Sequence, residues 1–172
     1  MTSECTFRTQ LVFREQRLLY DYWRSCADAR RMPSRGDIDP TSMRECLPFI
    51  CLIDILDGLP NAVVRLAGTS VRDIYGFELT GKCLGDIEWG EKSDYWQAVY
   101  ERILDTAAPL QGTIQGPICK REHITLFWLR LPLSDDGERV NKILCYDVAF
   151  PSNPALQSDK DFLDTDLAIR SG

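Results

Sequence analysis

Arg-Met-Pro-Ser-Arg-Gly-Asp-Ile-Asp-Pro (Arg31–Pro40) is the stretch from which the fold can be read. Pro33 and Gly36 keep Met32 to Asp39 extended. Asp39 then reads as a helix N-cap, with Pro40 at the first helical position, where its missing N–H costs nothing. Ser42-Met-Arg-Glu45 also fits a capping box, so the start stays open by a few residues. Pro48 is expected to stop this short helix, because the residue before a proline avoids the helical region. The stretch therefore divides the chain into an N-terminal helical extension (1–31), a compact domain (32–150) and a polar C-terminal tail (151–172).

Upstream, Leu11 to about Arg30 reads as an amphipathic helix. Leu11, Val12, Leu18, Leu19, Tyr22, Trp23 and Cys26 fall on one arc, with Glu15 the one polar residue in it. Phe13 and Tyr20 lie on the far side. An isolated helix of this length is marginal in water, so the arc needs a partner surface. That surface is either the domain's own sheet or a second subunit. Phe13, Tyr20 and Trp23 are the candidate dimer or partner contacts.

Downstream, Ile50 to Asp57 and Ala62 to Ala67 read as strands joined by the turn Gly58-Leu-Pro-Asn61. Thr69 or Ser70 caps a short helix through Tyr75, and Gly76 breaks it. Leu79 to Ile87 is a run of turns. Ser93 to Ala107 is the strongest helix. Trp96, Val99, Tyr100, Ile103 and Leu104 repeat at three and four residues, and Ser93 is the expected cap. Leu110 to Ile118, Glu122 to Leu133 and Val140 to Phe150 read as three further strands. Leu144, Tyr146, Val148 and Phe150 share one face of the last. In the tail, Asp159 to Ile169 is a weak helix.

Composition narrows the class. Hydrophobic residues at 44% and charged residues at 27% of 172 positions are globular values. The net charge of −6, from 26 acids and 20 bases, repels phosphate backbones and acidic membranes, so neither nucleic acid nor membrane is an expected partner. Leu47 to Leu56, the longest apolar stretch, is too short to span a bilayer. With no apolar signal core in Met1 to Gln10, a cytoplasmic protein is expected. The seven cysteines form no C-x-x-C pair and read as reduced, small hydrophobes. His123 is the only histidine, so no metal site is expected.

The motifs together resemble one bacterial subfamily of PAS domains in which a single domain follows an N-terminal helix. Leu19, Tyr22 and Trp23 carry the likeness, then Pro33, Arg35, Ile38, Asp39 and Pro40, and Leu47 and Pro48. Asp54, Arg65 to Thr69, Leu79 to Gly81 and Leu131 to Leu133 complete it. The resemblance implies an α+β fold: a five-stranded antiparallel sheet of order 2-1-5-4-3 with helices on one face. It also implies ligand binding between sheet and helices, pairing of subunits, and relay to a signalling partner. It implies no catalytic residue. Flavin is argued against, because Gly81 to Asp86 (Gly-Lys-Cys-Leu-Gly-Asp) deprives Cys83 of the flavin-sensing context. Haem is argued against, because Ser93 to Ala107 contains no histidine.

Particular side chains then acquire two readings each. Arg65 is an anchor for a carboxylate ligand or an ion-pair partner of Asp54 or Asp73. Tyr75, Trp96, Tyr100 and Trp128 line a ligand cavity or fill the core. Asp54 and Asp147, inside apolar strands, face solvent or meet an arginine. In a rival reading, one of them is the base of a small α+β-cone isomerase or hydratase. His123 is a surface strand residue or a ligand contact. The leading expectation is a non-enzymatic sensory or regulatory module, probing an unknown small ligand and working as a homodimer with a separate partner; a ligand-free adaptor is the third.

Overall fold

Five strands form one sheet: β1 (Ile50–Asp54), β2 (Val63–Ala67), β3 (Leu110–Gln115), β4 (Ile124–Leu133) and β5 (Lys142–Pro151). The computed structural model describes residues 2–152, with side chains from Thr6 onward. The expected tail helix at Asp159 to Ile169 lies outside those residues. The strand order is β2-β1-β5-β4-β3, and every neighbouring pair is antiparallel. This is the order that the resemblance implied.

Alternation along the strands gives the sheet two buried faces. Cys51, Cys145 and Arg130 stand in one row across β1, β5 and β4. Gly112, Trp128 and Asp147 form the next row across β3, β4 and β5. Against this inner face lie α3 (Thr69–Tyr75) and α4 (Ser93–Thr106). The Gly76 that ends α3 has φ +85°, a left-handed cap that glycine adopts without strain. On α4, buried Trp96, Val99, Tyr100 and Ile103 recur at three and four residues, as the periodicity predicts.

The outer face is covered by the N-terminal region. There α1 (Thr2–Gln10) and α2 (Arg14–Ala27) precede a 3₁₀ segment, Pro40–Phe49. Phe49 packs on Tyr146 at 5.8 Å between ring centroids, and Phe13 packs on Phe127 and Phe150 at 5.1 and 5.5 Å. Buried Trp23 donates its indole N–H to the Pro132 carbonyl at 2.9 Å, tying α2 to β4.

Several local expectations are corrected. The helix expected from Leu11 to Arg30 runs only from Arg14 to Ala27, and a separate helix, Thr2–Gln10, precedes it across a break at Leu11–Phe13. Phe13 is extended, and the Arg17 guanidinium donates to the carbonyls of Leu11 (2.6 Å) and Val12 (3.2 Å), which holds the break. Leu11, Leu19 and Trp23 of the expected arc are buried, but the buried face of α2 also takes in Gln16, Tyr20 and Ala27, which lay outside it. Val12 and Leu18 of that arc are 57% and 43% exposed. The face is rotated because α1 returns over it: Phe7 meets Tyr20 at 5.1 Å. Tyr20 and Trp23 are thus buried within their own chain. Gln16 fits the interior by accepting the Phe13 N–H at 3.2 Å.

Pro48 does not stop the segment it was expected to stop. The helix starts at Pro40, with Asp39 accepting the Thr41 N–H at 2.9 Å, kinks at Met43, and continues in 3₁₀ form to Phe49. Short 3₁₀ pieces tolerate a missing donor that a long α-helix would not. Ser93 makes no cap bond; a 3₁₀ turn at Gly90–Lys92 runs directly into α4. β1 ends at Asp54 rather than Asp57, and β3 ends at Gln115, where Gly116 turns the chain at φ +61°.

Candidate functional site

The chemistry of the inner face centres on Arg130, in the row behind Trp128 on β4. Its Nη1 donates to Asp147 Oδ1 on β5 at 2.6 Å and to the Leu129 carbonyl at 3.2 Å. Its Nη2 reaches Asp147 Oδ2 at only 3.4 Å. Both side chains are buried, at 1% and 3% exposure. Tyr75, at the end of α3, donates its hydroxyl to Asp147 Oδ2 at 3.0 Å. One carboxylate therefore joins a strand and a helix to the cation.

Aromatic rings surround this cation. Its guanidinium carbon lies 5.2 Å from the ring centroid of Trp96, 5.5 Å from Trp128 and 5.9 Å from Tyr100. Desolvated cation–π contacts of this kind are worth on the order of 2 kcal/mol. Trp128 is itself oriented by donating to the Tyr95 hydroxyl at 2.9 Å, and Trp96 by donating to the Pro117 carbonyl at 2.8 Å. Gly112 makes room for the Trp128 ring: a Cβ there would stand 2.5 Å from it.

Burial, the largest single influence, would strip the proton from Arg130, but the Asp147 charge together with Cys145, Tyr100 and Tyr75 more than offsets it and holds the guanidinium well on the cationic side. Burial pushes the Tyr75 phenol well above its ordinary value, and the adjacent Asp147 charge adds to the shift. The Cys51 thiol is likewise raised, first by its hydrogen bond with Cys145 and then by burial. At neutral pH the cluster is thus one balanced ion pair flanked by neutral phenol and thiol groups. No group in it is poised as a free base or nucleophile.

The space left in this face is small. A cavity of about 10 Å³ is bounded by Cys51, Tyr75, Trp89, Tyr100, Arg130 and Asp147, with apolar side chains between them. That is about the space of one water. A second cavity of about 50 Å³ lies on the outer face, where Ile38, Met43, Leu52, Leu133 and Leu144 line it. Its one charged lining group, Arg35, is engaged with the Ile38 carbonyl at 2.9 Å.

The expected site residues separate into groups. Tyr75, Trp96, Tyr100 and Trp128 are brought together around Arg130, a residue the sequence reading did not single out. Arg65 lies elsewhere, 65% exposed and bonded to Asp54 at 2.9 Å. Asp54 also meets Lys142 at 3.4 Å. Neither Asp54 nor Asp147 stands alone at the floor of a deep pocket, as the cone-enzyme reading required. His123 is exposed in the turn just before β4. Among the described residues, no three His, Cys, Asp or Glu side chains converge as metal ligands, and the six cysteines with described side chains are free. No described helix is long and apolar enough to cross a membrane.

A family model described as a PAS domain matches residues 13–146. No curated protein shows significant similarity to the chain. Similar solved structures include a light-oxygen-voltage domain studied with a flavin analogue. It is 10% identical over 76% of this chain and 94% of that one, with a TM-score of 0.54. An RNA-binding light-oxygen-voltage receptor is 12% identical over 80% of this chain and 40% of its own, at 0.51. A light-oxygen-voltage protein of Rhodobacter sphaeroides is 15% identical over 69% and 72%, at 0.49. At these identities the likeness is one of fold. The residues present do not fit a flavin as packed. Pockets for molecules of that size run to roughly 300–1,000 Å³, and Cys83 is not among the residues that line the inner cavity.

Proposed function

The chain belongs to the PAS domain family, and from that premise we propose that it is a sensory or regulatory module that performs no chemistry of its own. The observation that carries this reading is the balanced Arg130–Asp147–Tyr75 cluster, sealed by aromatic rings against a cavity of about 10 Å³. It offers recognition groups without an activated one. Flavin is excluded from the proposal by lack of room, and the candidate ligand-binding residues are Tyr75, Trp96, Tyr100 and Trp128 with Arg130 added to them. Arg65 is retained only as a surface contact.

Output travels through the strands. β5 carries Asp147 on its inner side, and Tyr146 and Phe150 on its outer side against Phe49 and Phe13. A rearranged ion pair would shift the seat of α2 and so the surface shown to a second copy or to a signalling partner. Two arrangements of the cluster, one favoured by occupancy, are enough for such a relay. Val12, Leu18 and Phe150, exposed apolar residues of the N-terminal region and β5, support protein contact there. The free thiols accord with work in the cytoplasm. The small size of the cavity favours a second reading, an adaptor with no ligand.

Native mass spectrometry of the full chain, paired with thermal melts across a metabolite panel, tests both. The sensory reading expects a dimer mass and a melting shift for some small molecule, since a native-state ligand stabilises by mass action. A flat panel leaves the adaptor. A flavin-sized adduct on the native protein contradicts the proposal.

A further inference from the structure

Resting on the sensory reading, we infer that Arg130 is a receptor for a small uncharged molecule that presents a carbonyl oxygen to its Nε–Nη2 edge. A guanidinium has two forks of parallel N–H donors. Arg130 spends its end-on fork, Nη1 and Nη2, on Asp147. Its side-on fork is open: Nε has no hydrogen-bond partner, and Nη2 is held only by the 3.4 Å contact. The side chain is 1% exposed and walls the inner cavity, so the open donor cannot turn to bulk water. A buried donor left unsatisfied is costly, which makes an acceptor at that edge favourable.

Charge balance selects the chemical class. Arg130 and Asp147 already neutralise one another, and no second cation lines the cavity. A carboxylate entering there would bring an uncompensated charge into a desolvated site, a large penalty. A neutral amide or aldehyde oxygen satisfies Nε without it. Size selects further: the cavity admits about one heavy atom as packed, and Trp89 is the lining aromatic that is only half buried. It sits between the turns Leu84–Asp86 and Gly90–Lys92, held by a bond from its indole to the Leu84 carbonyl at 3.1 Å. A three-atom occupant would need that ring to tilt outward and give up its Leu84 bond. For so small a ligand the affinity ceiling is about millimolar.

Formamide and formate differ in charge at equal heavy-atom count, and so separate the alternatives. The Arg130 Nε–H resonance of the full chain is followed by NMR while each is added. The inference expects a saturable shift with formamide at millimolar to tens of millimolar, and at least tenfold weaker binding of formate. Arg130→Lys keeps a cation for Asp147 but removes the side-on fork, and should lose the amide shifts around the cavity. An Nε resonance that formamide leaves unmoved, as for a tightly held water, overturns the inference. So does formate binding as well as formamide. Should Arg130→Lys fail to fold, the two wild-type titrations still decide. The sensory reading fails separately, through a flat metabolite panel; a panel response with an unmoved Nε would remove this site alone.

Discussion

Arg130 Nη1 stands 2.6 Å from Asp147 Oδ1 across the β4–β5 pair, with both side chains withdrawn from solvent. Taking two charges out of water is repaid only when each finds its partner. Here Tyr75 and three aromatic faces supply the rest of the solvation that water would have given. The same pair that holds the sheet to α3 is therefore the part of the interior most sensitive to a change in its partners.

Removing one member should cost far more than removing both. Asp147→Ala leaves the guanidinium uncompensated and is expected to destabilise the fold by about 3–5 kcal/mol. Arg130→Met combined with Asp147→Leu should restore most of that loss. Urea denaturation of the three proteins checks it; a double variant as unstable as the single one would contradict the pairing.

The tyrosines predict an alkaline limit. Burial pushes Tyr95 up to about 12, and it also raises Tyr75, Tyr100 and Tyr146. Their folded values lie above the unfolded value near 10, so the unfolded chain loses these protons first. Stability should thus be independent of them below about pH 10 and fall as pH rises through about 12. Denaturation midpoints measured from pH 8 to 12 test this, and a midpoint that rises over that range would be inconsistent with buried phenols.

Gly112 faces Trp128 with no room for a methyl group. Gly112→Ala should force the indole from its bond to Tyr95, destabilising by about 1–3 kcal/mol and shifting the tryptophan fluorescence. Unchanged emission and stability would show that the ring is not pinned there.

Trp23 anchors α2 through a single N–H. Trp23→Phe keeps most of the apolar contact and leaves the Pro132 carbonyl without that donor, at a cost of about 1–3 kcal/mol. A thermal melt equal to that of the wild type would remove the anchor.

How much was legible follows from which forces are local. The Asp39–Pro40 start, the Gly76 stop and the apolar face of α4 are set by nearest neighbours, and the sequence shows them directly. The strand order came from resemblance, not from any residue pattern. The phase of α2 is not legible locally, because the break at Leu11–Phe13 depends on Arg17 and on α1 folding back over Tyr20. Arg65 and Arg130 stand in similar apolar runs, and composition alone does not tell the exposed one from the buried one. The signal that distinguishes them is alternation. Trp128 and Arg130 share a face of β4, and Cys145 and Asp147 share a face of β5; only the register, a long-range quantity, brings those faces together.

The proposed relay couples the buried cluster to the N-terminal helix through β4 and β5. Amide hydrogen exchange of Asp147→Asn against the wild type measures this directly. Faster exchange in Arg14–Ala27, on the opposite side of the sheet from the substitution, is the expected result. Exchange changes confined to β4, β5 and α3, with that helix untouched, would contradict it.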